Sequence, residues 1–178
     1  MAGYPADVGR TAELAAVIAG VLDERELTYQ HPSEGAFFVG LPGTHKLLTN
    51  TWLVVGDHSL LVEAFVVRHP DENHEEFWRY LMERNARTYG VHFCADHVGD
   101  VYLVGRVSLD AVTPEELDRL LGCVLEYSDG TFDTLLELGF AESIRREWRW
   151  RVSRGESLAN LQAFARFADP TRAADSGG

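Results

Sequence analysis

Apolar positions repeat at helical spacing in the first part of the chain and then alternate as they do in strands. Between Thr11 and about Glu26 they recur every three or four residues, which predicts an amphipathic helix with Thr11 as its N-cap. A polar loop, His31-Pro32-Ser33, follows. Three β-rich runs come next, at residues 36–41, 46–55 and 59–68. The short links Pro42-Gly43 and Gly56-Asp57 between them predict an antiparallel meander.

The second half of the chain predicts two more helices and another hairpin. Pro70-Asp71-Glu72-Asn73 is a helix-start signal, and the helix behind it ends near Tyr89-Gly90. Strands are expected at residues 91–96 and 101–107. Thr113-Pro114-Glu115-Glu116 predicts a capped helix with a capping box, which Asp129-Gly130 bends or splits. Further helix is expected at residues 144–154, and a last amphipathic segment on Leu158, Leu161, Phe164 and Phe167.

This element order predicts an α+β fold. The order is α-β-β-β-α-β-β-α, with helices packed on a five-stranded antiparallel sheet and a helical extension at the end. Strands do not alternate with helices and no glycine-rich loop follows a strand, which excludes a doubly wound nucleotide-binding fold. We expect a flexible lead at residues 1–10, one domain at residues 11–168 and a disordered tail at residues 169–178.

Charge narrows the classes of partner. The chain has 178 residues with 16 Lys and Arg against 28 Asp and Glu, a net charge of −12. Such an acidic surface repels phosphate backbones and anionic lipid, so neither nucleic acid nor membrane is an expected partner. Its two cysteines, Cys94 and Cys123, do not form a disulfide framework, and the cytoplasm is the default location.

Three segments within residues 35–151 resemble the YbjN family of bacterial proteins, which are described as sensory transduction regulators. They are Trp52-Leu53-Val54-Val55-Gly56-Asp57, then Phe77-Trp78-Arg79-Tyr80-Leu81-Met82-Glu83-Arg84-Asn85, then Val101-Tyr102-Leu103-Val104-Gly105-Arg106-Val107 with Thr113-Pro114-Glu115-Glu116-Leu117. The resemblance implies a fold like that of type III secretion chaperones. It also implies a small, acidic, dimeric protein that binds other proteins, and it brings no motif of catalytic residues.

One group of side chains could serve a metal-dependent hydrolase. His92, Cys94 and His97 are possible zinc ligands, with His69 and His74 nearby in sequence. A hydrolase built on them and on Glu63 would require these side chains to converge on a pocket. His92 and Cys94 point the same way on a strand, whereas His97 falls in a turn and no second ligand pair completes the site. We therefore expect no metal or cofactor, and we keep the hydrolase as an alternative.

Glu63 lies inside an apolar strand. Alternation places it on the same face as Leu61 and Phe65. A carboxylate in that position lies at an edge, pairs with an arginine such as Arg106, or belongs to a binding groove. Pairing is the simplest of the three interpretations.

Arginine and tryptophan alternate near the end of the chain, in Arg145-Arg146-Glu147-Trp148-Arg149-Trp150-Arg151. This composition is typical of nucleic-acid stacking platforms and also of protein hot spots. Because the whole chain is acidic, we favour pairing of these arginines within the chain or with a second copy. A small-anion sensor remains the alternative.

Apolar side chains are more numerous than one covered sheet face requires. The run at residues 46–55 ends without polar alternates, which is typical of a sandwiched strand or of an association surface. We therefore expect a non-enzymatic homodimer that binds a protein or peptide partner. The predicted partner-binding residues are Trp52, Phe77, Trp78, Trp148, Trp150, Arg145 and Arg149.

Overall fold

The computed structural model describes residues 8–159 and 164–168. The chain divides into two compact units. The first contains residues up to 69 together with 81–132, and the second contains residues 70–80 together with those from 133 onward. Most of the expected lead, the whole expected tail and Leu161 lie outside the described residues.

The elements follow the predicted α+β order, but the sheet has six strands instead of five. Its strand order is β1-β2-β3-β4-β6-β5, with every pair antiparallel. No helix among the described residues is long and apolar enough to cross a bilayer. The elements are α1 Val8–Glu24, β1 Tyr29–Ser33, β2 Ala36–Pro42, β3 Leu48–Val55, β4 Ser59–Val67, α2 His74–Asn85, β5 His92–Ala95, β6 Val101–Ser108, a 3-10 turn Leu109–Ala111, α3 Pro114–Arg154 and α4 Ala165–Ala168.

The additional strand is β1, where the sequence predicted a polar loop. Among the described strands it pairs only with β2, from Tyr29 opposite Val39 to Ser33 opposite Ala36, and its register shifts along the way. Proline cannot donate to a ladder and is therefore tolerated on an edge strand. Pro32 and the exposed polar residues around it are thus compatible with a strand that has one neighbour.

Helix α1 begins three residues before the predicted cap, so Thr11 lies within its first turns. The helix ends at Glu24, and Glu26, two residues later, is left-handed with a φ of 53°. The N–H of Leu27 donates back to the carbonyl of Leu22 at 3.0 Å, which satisfies one of the last free carbonyls of the helix.

The predicted cap of α3 is confirmed, but its capping box is only half formed. The Thr113 hydroxyl accepts the N–H of Glu116 at 3.2 Å. The N–H of Thr113, however, donates to the carbonyl of Ala111, and the Glu116 carboxylate accepts the Tyr89 hydroxyl at 2.8 Å. The carboxylate that a capping box would use is therefore bound to another element.

Helix α3 runs without interruption through Asp129-Gly130, where the sequence predicted a bend or a split. Aspartate disfavours helix interiors when its side chain competes for local backbone groups. Here the Asp129 carboxylate accepts the backbone N–H groups of His45 and Lys46, both at 2.8 Å, in the β2–β3 loop. Burial alone would raise the pKa of Asp129, but these backbone donors outweigh it and lower the pKa below its usual value.

Lys46, the only lysine of the chain, is nearly buried beside this loop, with 9% of its surface exposed. Its Nζ donates to the carbonyl of Phe65. The same atom lies 5.3 Å from the centroid of the Phe65 ring and 5.9 Å from that of Phe132. Desolvation lowers the pKa of Lys46 to about 8.

One face of the sheet carries the core of the first unit. Helix α1 and the first part of α3 pack on this face, and a hydrogen bond of 2.8 Å joins the hydroxyls of Thr49 on β3 and Ser128 on α3. The neighbouring Thr51 hydroxyl is buried without a hydrogen-bond partner among the described residues. The largest buried side chains of this unit include Ile18, Leu22, Phe37, Leu53, Leu60, Leu81, Leu103, Leu117 and Leu120.

We expect the isosteric replacements Thr51→Val and Thr49→Val to change stability in different directions. Thr51→Val removes an unpaired buried hydroxyl and should leave the free energy of unfolding unchanged or raise it by about 1 kcal/mol. Thr49→Val removes a paired hydroxyl and should lower it by about 1 kcal/mol. Urea unfolding of both variants measures the difference, and equal destabilisation would contradict the assignment.

The second unit is built around the start of α2 and the second part of α3. The carbonyl of Gly139 accepts the N–H groups of Asp71 and Glu72, at 2.9 and 3.3 Å. The Glu72 carboxylate in turn accepts the N–H of Glu142 at 2.8 Å. The buried residues here include Phe77, Leu135, Leu136, Phe140 and Ala141.

Candidate functional site

The second face of the sheet in the first unit presents partly exposed side chains, and we name it the open face. Cross-strand partners define it, because residues opposite one another in register point to the same side. One row runs from Phe38 through Trp52, Glu63 and Val104 to His92. The adjacent rows add Ala36, Val54, Leu61 and Arg106 on one side, and Phe65, Tyr102 and Cys94 on the other.

The open face is rich in exposed apolar surface. Trp52 is 38% exposed, Phe65 is 37% exposed and Leu48, at the start of β3, is 49% exposed. The rings are held by neighbours: Phe38 and Trp52 have centroids 4.8 Å apart, and Phe65 meets Tyr102 edge-on at 5.5 Å. Contact between paired aromatic rings restricts the rotation of each ring.

Glu63 lies on the open face, where strand alternation predicted it, but the expected pair with Arg106 is not formed. Glu63 is opposite Val104, whereas Arg106 is opposite Leu61, so the two charged residues are diagonal neighbours. No salt bridge joins them. The Glu63 carboxylate is therefore a half-buried charge among apolar neighbours, and no cation of the described residues is bound to it.

A shallow depression of about 320 Å³ lies beside Glu63. It is lined by Glu63, Cys94, Ala95, Asp96, Tyr102 and Val104. Desolvation raises the pKa of the Cys94 thiol, and the charges of Glu63 and Asp96 raise it further. Desolvation also raises the pKa of Tyr102, with added effects from Asp96, Asp100 and Glu63. The depression thus has a negative field that disfavours a thiolate, the form a nucleophilic cysteine needs.

The structure does not assemble the metal centre considered for a hydrolase. His92 and Cys94 both belong to β5 and are exposed, whereas His97 lies in the turn before β6. The Nδ1 atom of His92 is 2.7 Å from the Thr88 hydroxyl. Across the part of the chain that the structure describes, no three His, Cys, Asp or Glu side chains are grouped so that they could hold a metal ion.

The predicted partner-binding residues fall in both units. Trp52 is in the first unit, on the open face, and the other six are in the second. Phe77 is 0% exposed, and its ring packs edge-on against Trp78 at 5.2 Å. Because a side chain without exposed surface cannot touch a partner, we assign Phe77 to the core of the second unit. Trp78 is half-buried beside it.

The arginine-tryptophan segment at the end of α3 forms several contacts within its own unit. Arg145 pairs with Glu142 at 2.6 Å and donates to the carbonyl of Phe167 at 3.2 Å. Arg149 donates from Nε to the carbonyl of Arg145. These contacts agree with pairing inside the chain more than with an anion site.

The tryptophans of this segment differ in exposure. Trp148 is half-buried, whereas Trp150 is 43% exposed and lies under the guanidinium of Arg154, 5.0 Å from its ring. The ring of Trp150 therefore already has a cation over it.

Several residues of the open face were not in the predicted set, namely Phe38, Leu48, Phe65 and Tyr102. Strand alternation could have found Phe65, since it shares a face with Glu63. Phe38 and Tyr102 needed the register between strands, which determines which residues lie beside Trp52 and Phe65.

Comparison with known proteins gives a family match over most of the described chain. The model of the family YbjN, "Putative bacterial sensory transduction regulator", matches residues 14–137. An uncharacterized protein of Mycobacterium tuberculosis is 56% identical over 160 residues, covering 87% of each chain. An uncharacterized protein of Mycobacterium leprae is 53% identical over 158 residues, covering 86% of each.

Solved structures show the same fold at low sequence identity. The crystal structure of the ExsC–ExsE complex contains a chain that matches with a TM-score of 0.53 and 18% identity, over 70% of this chain and 95% of that one. The structure of the HopA1–SchA chaperone–effector complex matches with a TM-score of 0.52 and 13% identity, over 71% and 97%. These similarities show the fold.

Proposed function

The chain belongs to the YbjN family and has the fold of type III secretion chaperones, and from this premise we propose that it is a non-enzymatic, chaperone-like or regulatory protein that binds a segment of a partner protein on the open face. One observation carries the proposal: Trp52, Phe65 and Leu48 form exposed apolar surface on a folded sheet. Large apolar side chains exposed together on one face are typical of interaction sites in soluble proteins.

The chemistry of the open face suits a protein partner. Tryptophan and other aromatic side chains dominate the affinity of protein interfaces when they are rigid and central. Trp52 is both, since Phe38 supports its ring and it lies on β3 in the middle of the sheet. Partly exposed aliphatic neighbours, such as Val54 and Leu61, would exclude water around it.

Two further features support a binding role over catalysis. Desolvation and the charges of Glu63 and Asp96 raise the pKa of Cys94, which disfavours a thiolate nucleophile, and the described residues do not form a metal-ligand cluster. One structural neighbour, the HopA1–SchA pair, is a chaperone–effector complex, so this fold occurs elsewhere in a protein that holds another protein. We extend that use to this chain as part of the proposal.

We further propose that the protein acts in the cytoplasm as a homodimer. Its two cysteines are free, as expected of a reducing compartment. Exposed apolar side chains outside the open face, such as Trp150 and Val152 in the second unit, offer surface for self-association. Light scattering coupled to size exclusion measures the oligomeric state directly.

The partner-binding role predicts a specific effect of Trp52→Ala. Peptides selected from a random 12-residue display library against the wild-type protein should bind Trp52→Ala at least about tenfold more weakly, because the central aromatic anchor is lost. Met82→Ala removes an exposed apolar side chain of α2 that lies outside the open face, so it is the matched control and should keep wild-type affinity. Thermal unfolding of both variants checks that the fold is intact.

Two results would contradict this function. The first is a library from which no peptide is enriched above background. The second is a set of peptides that bind Trp52→Ala as tightly as the wild type, which would place binding away from the open face.

A further inference from the structure

We propose that the partner segment carries an arginine or lysine whose cationic group enters the depression beside Glu63, while apolar residues next to it lie on Trp52 and Phe65. This inference rests on the proposed function, because it specifies the chemistry of the partner at the same open face. It follows from the position of one carboxylate, the groups around it and the charge of the whole chain.

Glu63 needs a counterion once a partner covers it. Its carboxylate is half-buried in the row between Trp52 and Val104, and it is bound to no cation among the described residues. A partner that covers this row removes the remaining water from the carboxylate. Burying an unpaired charge is strongly unfavourable, whereas a buried charge with a hydrogen-bonded counterion is tolerated. An occupant that fits the open face must therefore bring a positive group to Glu63.

The other charges at the depression are also mainly negative. Asp96 lines it, and one Asp96 oxygen accepts the N–H groups of Val98 and Asp100 at 2.9 Å, which holds the carboxylate in position. Asp100 adds a third negative charge close enough to influence Tyr102. The positive groups near the depression are Arg106, diagonal to Glu63, and Lys46, whose Nζ lies 5.3 Å from the Phe65 ring centroid. The titratable groups are His92, opposite Val104, and Cys94 and Tyr102 in the lining. Three carboxylates against one arginine and one lysine leave the depression negative.

The size of the depression and the aromatic residues in and beside it suit a long cationic side chain. A depression of about 320 Å³ is large enough for one such side chain but small for a folded element. Trp52 is the direct cross-strand neighbour of Glu63, and Tyr102 and Phe65 lie in the next row. Aromatic faces attract cations, and the planar guanidinium also stacks on rings and binds a carboxylate with two hydrogen bonds. Arginine is therefore the better of the two candidates.

The net charge of the whole chain also favours a basic partner segment. A net charge of −12 attracts a basic segment over longer distances and repels an acidic one. The open face combines this field with apolar anchors, so the matching partner is a segment with one or a few basic residues among aliphatic or aromatic ones.

The test compares display selections on three proteins: the wild type, Glu63→Gln and Glu13→Gln. Glu63→Gln keeps the shape of the side chain and removes its charge. Glu13→Gln makes the same change of net charge on the exposed surface of α1 and is the matched control. We expect peptides enriched in arginine among apolar residues from the wild type and from Glu13→Gln, and loss of the arginine enrichment on Glu63→Gln.

A second measurement uses one selected peptide and its twin with citrulline in place of arginine. The arginine peptide should bind the wild type about tenfold more tightly than its twin, and Glu63→Gln should abolish that difference. Peptides that depend on Trp52 but show no preference for arginine would overturn this inference and leave the proposed function standing. Peptides that are insensitive to Trp52→Ala would remove both. Arginine enrichment that persists on Glu63→Gln would place the cation elsewhere and also overturn the inference.

Discussion

Replacing Gly139 by alanine is expected to lower the free energy of unfolding by about 1–2 kcal/mol, although alanine is the better helix former. Gly139 lies within α3, where a methyl group would come within 2.9 Å of Cβ of Pro70 and 3.0 Å of the Phe77 ring. Phe77 is fully buried and cannot move aside without disturbing the core of the second unit. The steric cost of overpacking should therefore exceed the gain of about 1 kcal/mol in helix propensity.

Gly122 provides the matched control in the same helix. A methyl group at Gly122 would meet no atom of the described residues within 4 Å, so Gly122→Ala should raise the free energy of unfolding by about 0.5–1 kcal/mol. Urea denaturation of both variants gives the two values. If Gly139→Ala were as stable as Gly122→Ala, the close packing of Pro70 and Phe77 on α3 would be wrong.

The second large effect concerns the pH dependence of stability through Lys46. Burial lowers its pKa to about 8 in the folded protein, against an ordinary value of 10.5. Between these two values the unfolded chain binds more protons than the folded one, so stability rises with pH through this window. The free energy of unfolding of the wild type, relative to that of Lys46→Met, should rise by at most about 3 kcal/mol between pH 7 and pH 10.5. Above pH 10.5 this difference should stay constant.

Lys46→Arg separates titration from packing. Arginine stays protonated throughout this pH range. The free energy of unfolding of Lys46→Arg, relative to that of Lys46→Met, should therefore not rise between pH 8 and pH 10.5. Thermal or urea unfolding of the three proteins across pH measures all of these differences. A wild-type curve parallel to that of Lys46→Met would show that Lys46 titrates as an ordinary exposed lysine.

Much of the sheet could be predicted because local pattern and tertiary structure agree there. Alternation in β4 correctly placed Glu63 on the same face as Leu61 and Phe65, and the short links correctly predicted antiparallel neighbours. The edge strand β1 was missed because Pro32 and its polar neighbours are compatible with either a loop or an edge. Pairing with β2 decides between the two, and that information is not local.

Side-chain partners far along the chain explain the remaining differences. Asp129 disfavours a helix interior in isolation, but the loop 84 residues before it supplies donors for its carboxylate. Glu63 has an arginine in the adjacent strand, but the register makes the two residues diagonal instead of opposite. Neither outcome depends on residue type alone.

The exposure of aromatic residues at the candidate site also could not be predicted from local sequence. Phe77 and Trp150 both occur in helices with mixed patterns, yet one is fully buried and the other is 43% exposed. Helical periodicity identifies a face but does not say how deeply that face is covered. The open face could be recognised only when the strands were placed side by side.

Burial of the single lysine, Lys46, limits the modification of this protein at lysine amines. Acylation, isopeptide attachment and crosslinking at lysine all need an accessible Nζ, and the one such atom here is held against the Phe65 carbonyl. Lysine-directed reactions on the folded chain must wait for the β2–β3 loop to open. Their rate therefore reports how often that loop detaches from α3, in the same way that amide exchange reports local opening.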